Sequence, residues 1–460
     1  MKGLSMKNVI LKIVDSIKFP LMVILLLTCV TLVHTQIQVS PSQLPPIDAK
    51  TQTLIVDSAC AALNEYYVFP EVAKNMEKLL RKNLKSGKYK DITNVPEFTE
   101  RLTSDLQSVS RDKHLRVRPA PPRSASNPSN VSPEEEQKQR LERFRKANYG
   151  FKKIEILPGN IGYLDFRNFA ETSFGEASAT AIAAMNFLAH VDAIIFDMRQ
   201  NGGGSPSMIQ LISSYLFEEP VHLNSFYIRK TDETKQFWTQ GHVHGRKLTD
   251  IPVYVLTSGF TFSGAEEFTY NLKNLKRGTI IGETTGGGAH PVQGHVFENL
   301  PVLITVPFGR AVNPITKTNW EGTGVEPDIK VPADQALIVA RTEALKILLA
   351  KETDPTRKSE IEWQIKSLEV ERNPVRLDES VLRNYTGDFG PRKIMFENGT
   401  LYYQREGRPK YKLIPMGDDM FGCEGMDTFR IKFNRDNAGQ INEIVGLYSD
   451  GSTDANPRTK

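Results

Sequence analysis

Cysteine is scarce in this chain: three in 460 residues, at positions 29, 60 and 423. Cys29 lies in an apolar N-terminal run, which leaves Cys60 and Cys423 in regions of different texture. No spacing suits a zinc site, and neither a disulfide scaffold nor a thiol enzyme fits. Dense basic tracts are also missing, and a formal charge of +4 gives no nucleic-acid footprint. The two glycine clusters, NGGG and TTGGGAH, lack both a Gly-Lys-Ser/Thr ending and dinucleotide spacing. No internal repeat is evident, and no cofactor is implied.

What is present begins at the N-terminus. Lysines at 2, 7, 12 and 18 precede FPLMVILLLTCVTLV, and the polar HTQIQVSPSQ follows. A basic region, an apolar core and a polar exit form the order of a secretory leader. The run is short for a membrane span. Residues 1–36 are therefore expected to be a signal peptide or an N-terminal anchor. Thr28 before Cys29 and the apolar VTLV after it argue against a lipoprotein signal. The protein is expected to be exported, periplasmic or extracellular, with membrane association if the segment is not cleaved.

Texture divides the remainder. Residues 37–49 read as a linker. Residues 50–117 carry helical periodicity, with Leu54, Ala59, Ala62 and Leu63 near one face and Pro96-Glu97 opening a helix. The stretch 118–147 is a proline-rich arm. From 148 to 335, apolar strands such as VDAIIFDMR and IPVYVLTS alternate with helices such as SGAEEFTYNLKNL, which predicts α/β architecture. Residues 336–379 form a helical connector. Residues 380–455 are short alternating strands between turns, a small antiparallel β domain.

TSGFTFSGAEEF, Thr257 to Phe268, holds four hydroxyls within seven residues. Ser263 follows an apolar strand and opens a helix, where free backbone N–H groups could face an oxyanion. The same position suits a plain N-cap, with Glu266 completing a capping box. A nucleophilic serine needs a base. The eight histidines include His114 in SRDKHLRV, and His290 and His295 near the second glycine cluster. Local sequence leaves the choice between capping and catalysis open.

SRDKHLRV, DMRQNGGG, VYVLTSGFTFSGAEEF, GTIIGETTGGGAH and EGTGVEPDI occur in that order. Together, over roughly residues 50–335, they resemble the S41 family of serine peptidases. That family includes the tail-specific, C-terminal-processing and tricorn-core proteases and the modules of interphotoreceptor retinoid-binding protein. The resemblance implies a crotonase- or ClpP-like αβ superhelix core, with a helical bundle before it and a small antiparallel β domain after it. It implies a serine-type peptidase acting through an acyl-enzyme on peptide or protein substrates. By position, Ser263 resembles the nucleophile, His114 the base and Glu321 the acidic member. Gly264 and Gly203 resemble oxyanion donors; Gly202, Gly204, His290 and His295 are candidates for binding substrate.

Lys113 stands beside His114, where the tricorn-like branch has a serine. The Ser–Lys branch does not fit, because no lysine occurs between 278 and 316. No insertion between 115 and 150 is long enough for a PDZ domain. The retinoid-binding relatives supply the alternative, a non-catalytic carrier of apolar ligands or peptides. Oligomeric state is not legible.

Overall fold

The computed structural model describes residues 46–120 and 133–459. The expected leader, 1–36, lies outside the described residues. Among the described residues no helix is long and apolar enough to cross a membrane.

Three helices come first among the described residues: α1 (Ala49–Tyr66), α2 (Pro70–Lys85) and α3 (Val95–Ser110). Their starts follow from local chemistry. Asp48 and Asn94 accept N–H groups of Thr51 and Glu97, and Pro70 sits at the first position of α2. The buried face of α1 is Ile55, Val56, Ala59, Cys60, Ala62 and Leu63. Leu54, expected on that face, is exposed. Ala59, Ala62 and Leu63 lie on the expected face, and Ile55 rather than Leu54 begins it.

The next elements are β1 (Arg116–Pro119), α4 (Pro133–Lys146), β2 (Phe151–Leu157), β3 (Ile161–Phe166), α5 (Ala177–Phe187), β4 (Ala193–Asp197) and α6 (Pro206–Ser214). They lead to β5 (His222–Ile228), β6 (Glu233–Trp238), β7 (Val253–Thr257), α7 (Gly264–Asn274), β8 (Thr279–Gly282), β9 (Val292–Val296) and β10 (Val302–Pro307). Then come β11 (Gly309–Val312), β12 (Ile329–Lys330), α8 (Ala336–Lys351) and α9 (Pro355–Arg372).

The central sheet has six strands in the order β12-β8-β7-β4-β3-β2. All its pairings are parallel except β2 with β3. Its inner strands β3, β4, β7 and β8 are largely apolar because both faces are covered, whereas the edge strand β2 carries exposed lysines. Ile194 and Phe196 of β4 enter a core with residues of α5, α6 and α7. Ala193 and Ile195 enter another with residues of α8 and α9. Two small sheets flank this frame, β1-β10-β9 and β11-β5-β6. The first closes the core of α1–α3, since Val117, Val302, Ile304 and Val306 pack among the helix side chains.

After α10 (Glu379–Arg383), eight consecutive antiparallel strands follow: β13 (Gly387–Phe389), β14 (Arg392–Glu397), β15 (Thr400–Arg405), β16 (Lys410–Gly417), β17 (Met420–Cys423), β18 (Met426–Arg435), β19 (Ile441–Tyr448) and β20 (Thr453–Pro457). Just past β20, the Thr459 N–H donates to the Asp388 carbonyl of β13 at 2.8 Å, so the sheet nearly closes into a barrel. Arg430 ties the barrel to α9: its guanidinium lies 3.7 Å from the Trp363 ring centroid and donates to the Trp363 carbonyl.

The expected crotonase- or ClpP-like superhelix is therefore corrected. The described chain forms one mixed sheet layered by helices on both faces and a separate near-closed antiparallel barrel. Local patterning predicted the alternation of strand and helix. The superhelix came only from resemblance, and strand order depends on which distant strands pair. Cys60 and Cys423 are free and buried in separate cores, where burial pushes each thiol up to about 12.

Candidate active site

β4, β7 and β8 are parallel neighbours, so the loops leaving their C-terminal ends gather at one edge of the sheet. The loop after β7 contains the four hydroxyls. Three are tied to backbone carbonyls: Thr257 to Glu283, Ser258 to Arg199 and Thr261 to Met198, at 2.6–2.8 Å. They fasten the β7 turn to the chain leaving β4 and β8. Ser263 is different in kind. It begins α7 at φ 55°, ψ −122°, a conformation that L side chains seldom adopt.

The glycine run after β4 lies directly against this corner. Gly203 has φ +105°, and a Cβ there would fall 2.7 Å from the Gly264 nitrogen and 2.8 Å from Ser263 Cβ. Only glycine permits that approach. Buried Asn201 holds the turn, donating to the Phe166 carbonyl and accepting the Gly203 N–H at 2.8 Å. The Gly203 N–H, an expected oxyanion donor, is thus already engaged. Among the described residues the N–H groups of Gly204 and Gly264 have no acceptor. A Cβ on Gly264 would stand 2.9 Å from the Gly204 nitrogen, so the two glycines are immediate neighbours. Gly202 belongs to the same turn but does not line the cavity.

That cavity, of about 580 Å³, is lined by Ser263, Gly204, Gly264 and His290 among others. His290 is buried, and its Nδ1 lies 2.6 Å from Asp112 Oδ2 and 3.6 Å from Glu321 Oε2. With Nδ1–H donated to the Asp112 carboxylate, the free lone pair of the ring is on Nε2. Glu321 also accepts the Ala289 N–H at 2.6 Å. Burial, then the neighbouring Asp112 charge, raises the Glu321 pKa. Asp112, His290 and Glu321 lie close enough together to resemble a metal-ligand set. A hydrogen-bonded histidine between two carboxylates accounts for the same closeness.

His114, the expected base, is placed differently. Its ring packs 4.6 Å from that of Phe262, and its backbone N–H donates to Asp112 Oδ1. Its Nδ1 is buried without a partner. Burial lowers its pKa to about 4, against the opposing charge of Asp112. Among the described residues neither His114 nor His290 hydrogen-bonds Ser263; unlike His290, His114 does not line the cavity. Lys113 reaches across to the Gly286 carbonyl. His295 stacks on Tyr66 in another cleft.

Two functional residues escaped the sequence reading. Asp112 stood two places before His114 without a reason to prefer it. Glu266 was read only as a cap, yet its fully buried carboxylate accepts the Ser263, Gly287 and Gly288 N–H groups and the Thr285 hydroxyl. It locks the serine corner to the loop that carries His290.

A strained serine at a helix mouth, paired free N–H groups and an acid-held histidine on one cavity are an arrangement that suits serine hydrolysis. The N-terminal domain of peptidase S41 in eukaryotic IRBP matches residues 49–158, and peptidase family S41 matches residues 160–331, together more than half of the chain. The chain belongs to peptidase family S41 and is a serine-type hydrolase of peptide bonds. Among solved structures, a putative peptidase from Parabacteroides merdae is 20% identical over 66% of this chain and 98% of its own, with TM-score 0.45. A lipoprotein from Streptococcus agalactiae is 16% identical over 66% and 98%, with TM-score 0.42. A putative S41 protease from Bacteroides fragilis is 21% identical over 41% and 52%, with TM-score 0.36. Likenesses this distant carry no argument about chemistry or substrate.

Proposed function

We propose that the peptidase acts through Ser263 as nucleophile, His290 as general base and Asp112 with Glu321 as the acids that orient it. The observation that carries this reading is the shared cavity of Ser263 and His290, with His290 Nδ1 held by Asp112 at 2.6 Å. His290 Nε2 takes the Ser263 proton as Oγ attacks the scissile carbonyl. The Gly204 and Gly264 N–H groups receive the oxyanion. Protonated His290 then gives the proton to the leaving amine, and water releases the acyl-enzyme.

A second reading keeps His114 as base, supported by its unpartnered Nδ1 and by its packing against Phe262, the residue before Ser263. Both readings belong to a Ser–His–acid branch without a PDZ domain. Between β1 and β2 the only regular element among the described residues before Asn148 is α4. Export is proposed from the basic-apolar-polar order of residues 1–36.

Labelling with a serine-reactive fluorophosphonate tests the assignment. Wild type should label and Ser263→Ala should not; equal labelling refutes the nucleophile. No labelling of either, with a reactive control, favours the carrier. His290→Ala should slow labelling at least 100-fold, with a smaller effect from His114→Ala. The reverse order assigns the base to His114.

A further inference from the structure

One buried carboxyl in the cavity has no part in that mechanism. Glu267 lies one turn after Ser263 on the same face of α7, and its N–H donates to the Ser263 carbonyl at 2.9 Å. It is 3% exposed yet lines the cavity with Ser263. Side chains on a helix lean toward its N-terminus, so the Glu267 carboxyl leans toward the serine. Its polar neighbour is Asn224 of β5. Asn224 is fully buried behind the carboxyl and does not itself line the cavity; its side chain sits against Glu267 without full hydrogen-bond geometry. Buried polar groups are ordinarily paired, and a buried carboxyl that lines a substrate cavity with only a loose amide contact behind it marks a place where a ligand completes the set.

The other carboxyl in the cavity, Glu171, is already satisfied by the hydroxyls of Ser205 and Ser207. Lys235 also lines the cavity, but it is exposed on β6, where solvent screens its charge. Phe226 and Phe237, ring centroids 5.0 Å apart, supply apolar wall. An apolar wall beside a buried carboxyl fits a long aliphatic stem that ends in a cation.

We propose that Glu267, backed by Asn224, forms a specificity subsite for a lysine or arginine side chain on the peptide whose carbonyl is attacked by Ser263. The inference rests on Ser263 as nucleophile but is independent of which histidine serves it. Burial holds the Glu267 carboxyl up to about 8. An arriving cation supplies the missing counter-charge and favours ionisation.

The test is protection of Ser263 from the fluorophosphonate by two peptide aldehydes alike except for argininal or norleucinal at the terminal position. In the wild-type full chain the argininal should protect at least tenfold better. Glu267→Gln should collapse that ratio to within threefold, while Glu267→Asp keeps a preference. Equal protection in wild type, or an undiminished ratio in Glu267→Gln, overturns the subsite and leaves the nucleophile standing. The wild-type comparison decides even if a variant fails to fold. Labelling that Ser263→Ala does not abolish overturns the nucleophile, and the subsite with it.

Discussion

Glu266→Gln is the substitution that most directly probes how the site is held. Two donors meet each carboxylate oxygen: Ser263 and Gly288 N–H on Oε2, Thr285 Oγ and Gly287 N–H on Oε1, at 2.5–2.9 Å. Burial pushes the Glu266 pKa up and the four donors oppose it. In glutamine one oxygen becomes an NH₂ that cannot accept. Whichever way the amide turns, two buried donors lose their acceptor. Each costs about 1–3 kcal/mol. A neutral amide is cheaper to bury than a charge, which offsets part of that. The net loss should be about 2–4 kcal/mol, or roughly 30- to 1,000-fold in a local opening equilibrium. Hydrogen exchange read by mass spectrometry should show faster exchange at Gly287 and Gly288. Fluorophosphonate labelling should fall at least 100-fold, because the serine corner and the histidine loop lose their common anchor. Unchanged exchange across 286–290 with labelling within threefold would refute the idea that Glu266 joins them.

Ser263→Gly should lose labelling but unfold at higher denaturant, by about 1 kcal/mol, because glycine adopts the left-handed corner without strain; a less stable variant would refute the strain. Acid stability should depend on His114, whose pKa burial lowers to about 4. The unfolded chain takes up this proton near 6.5, before the folded one does. This contribution is therefore fully present above about pH 6.5 and is lost as pH falls toward 4. Denaturant midpoints of His114→Gln should fall less steeply over that window, and parallel curves would count against it.

Much of this protein could be read locally. The alternation of apolar strands and helices, the serine at a strand-to-helix junction and the close-approach glycines each follow from residues near in sequence. Ser263 was distinguishable from its neighbouring hydroxyls as the helix-opening residue, and the structure adds that Thr257, Ser258 and Thr261 are fasteners. The expected roles of Gly203 and His114 illustrate the limit. Whether an N–H is free depends on Asn201 folding back onto Gly203, and which of His114 and His290 can serve Ser263 depends on contacts between segments far apart in sequence.

The sequence by itself determined the elements, their order and the residue types available for acyl transfer, because periodicity and turn chemistry act over a few residues. Tertiary structure decided the rest. Parallel pairing of β4, β7 and β8 gathers three loops at one edge, and α3 ends where Asp112 can reach across 178 residues to His290. Glu266 and Glu267 are adjacent in sequence, yet one is a buried anchor and the other a cavity wall. A helix turns about 100° per residue, and only the surrounding fold fixes what each direction meets.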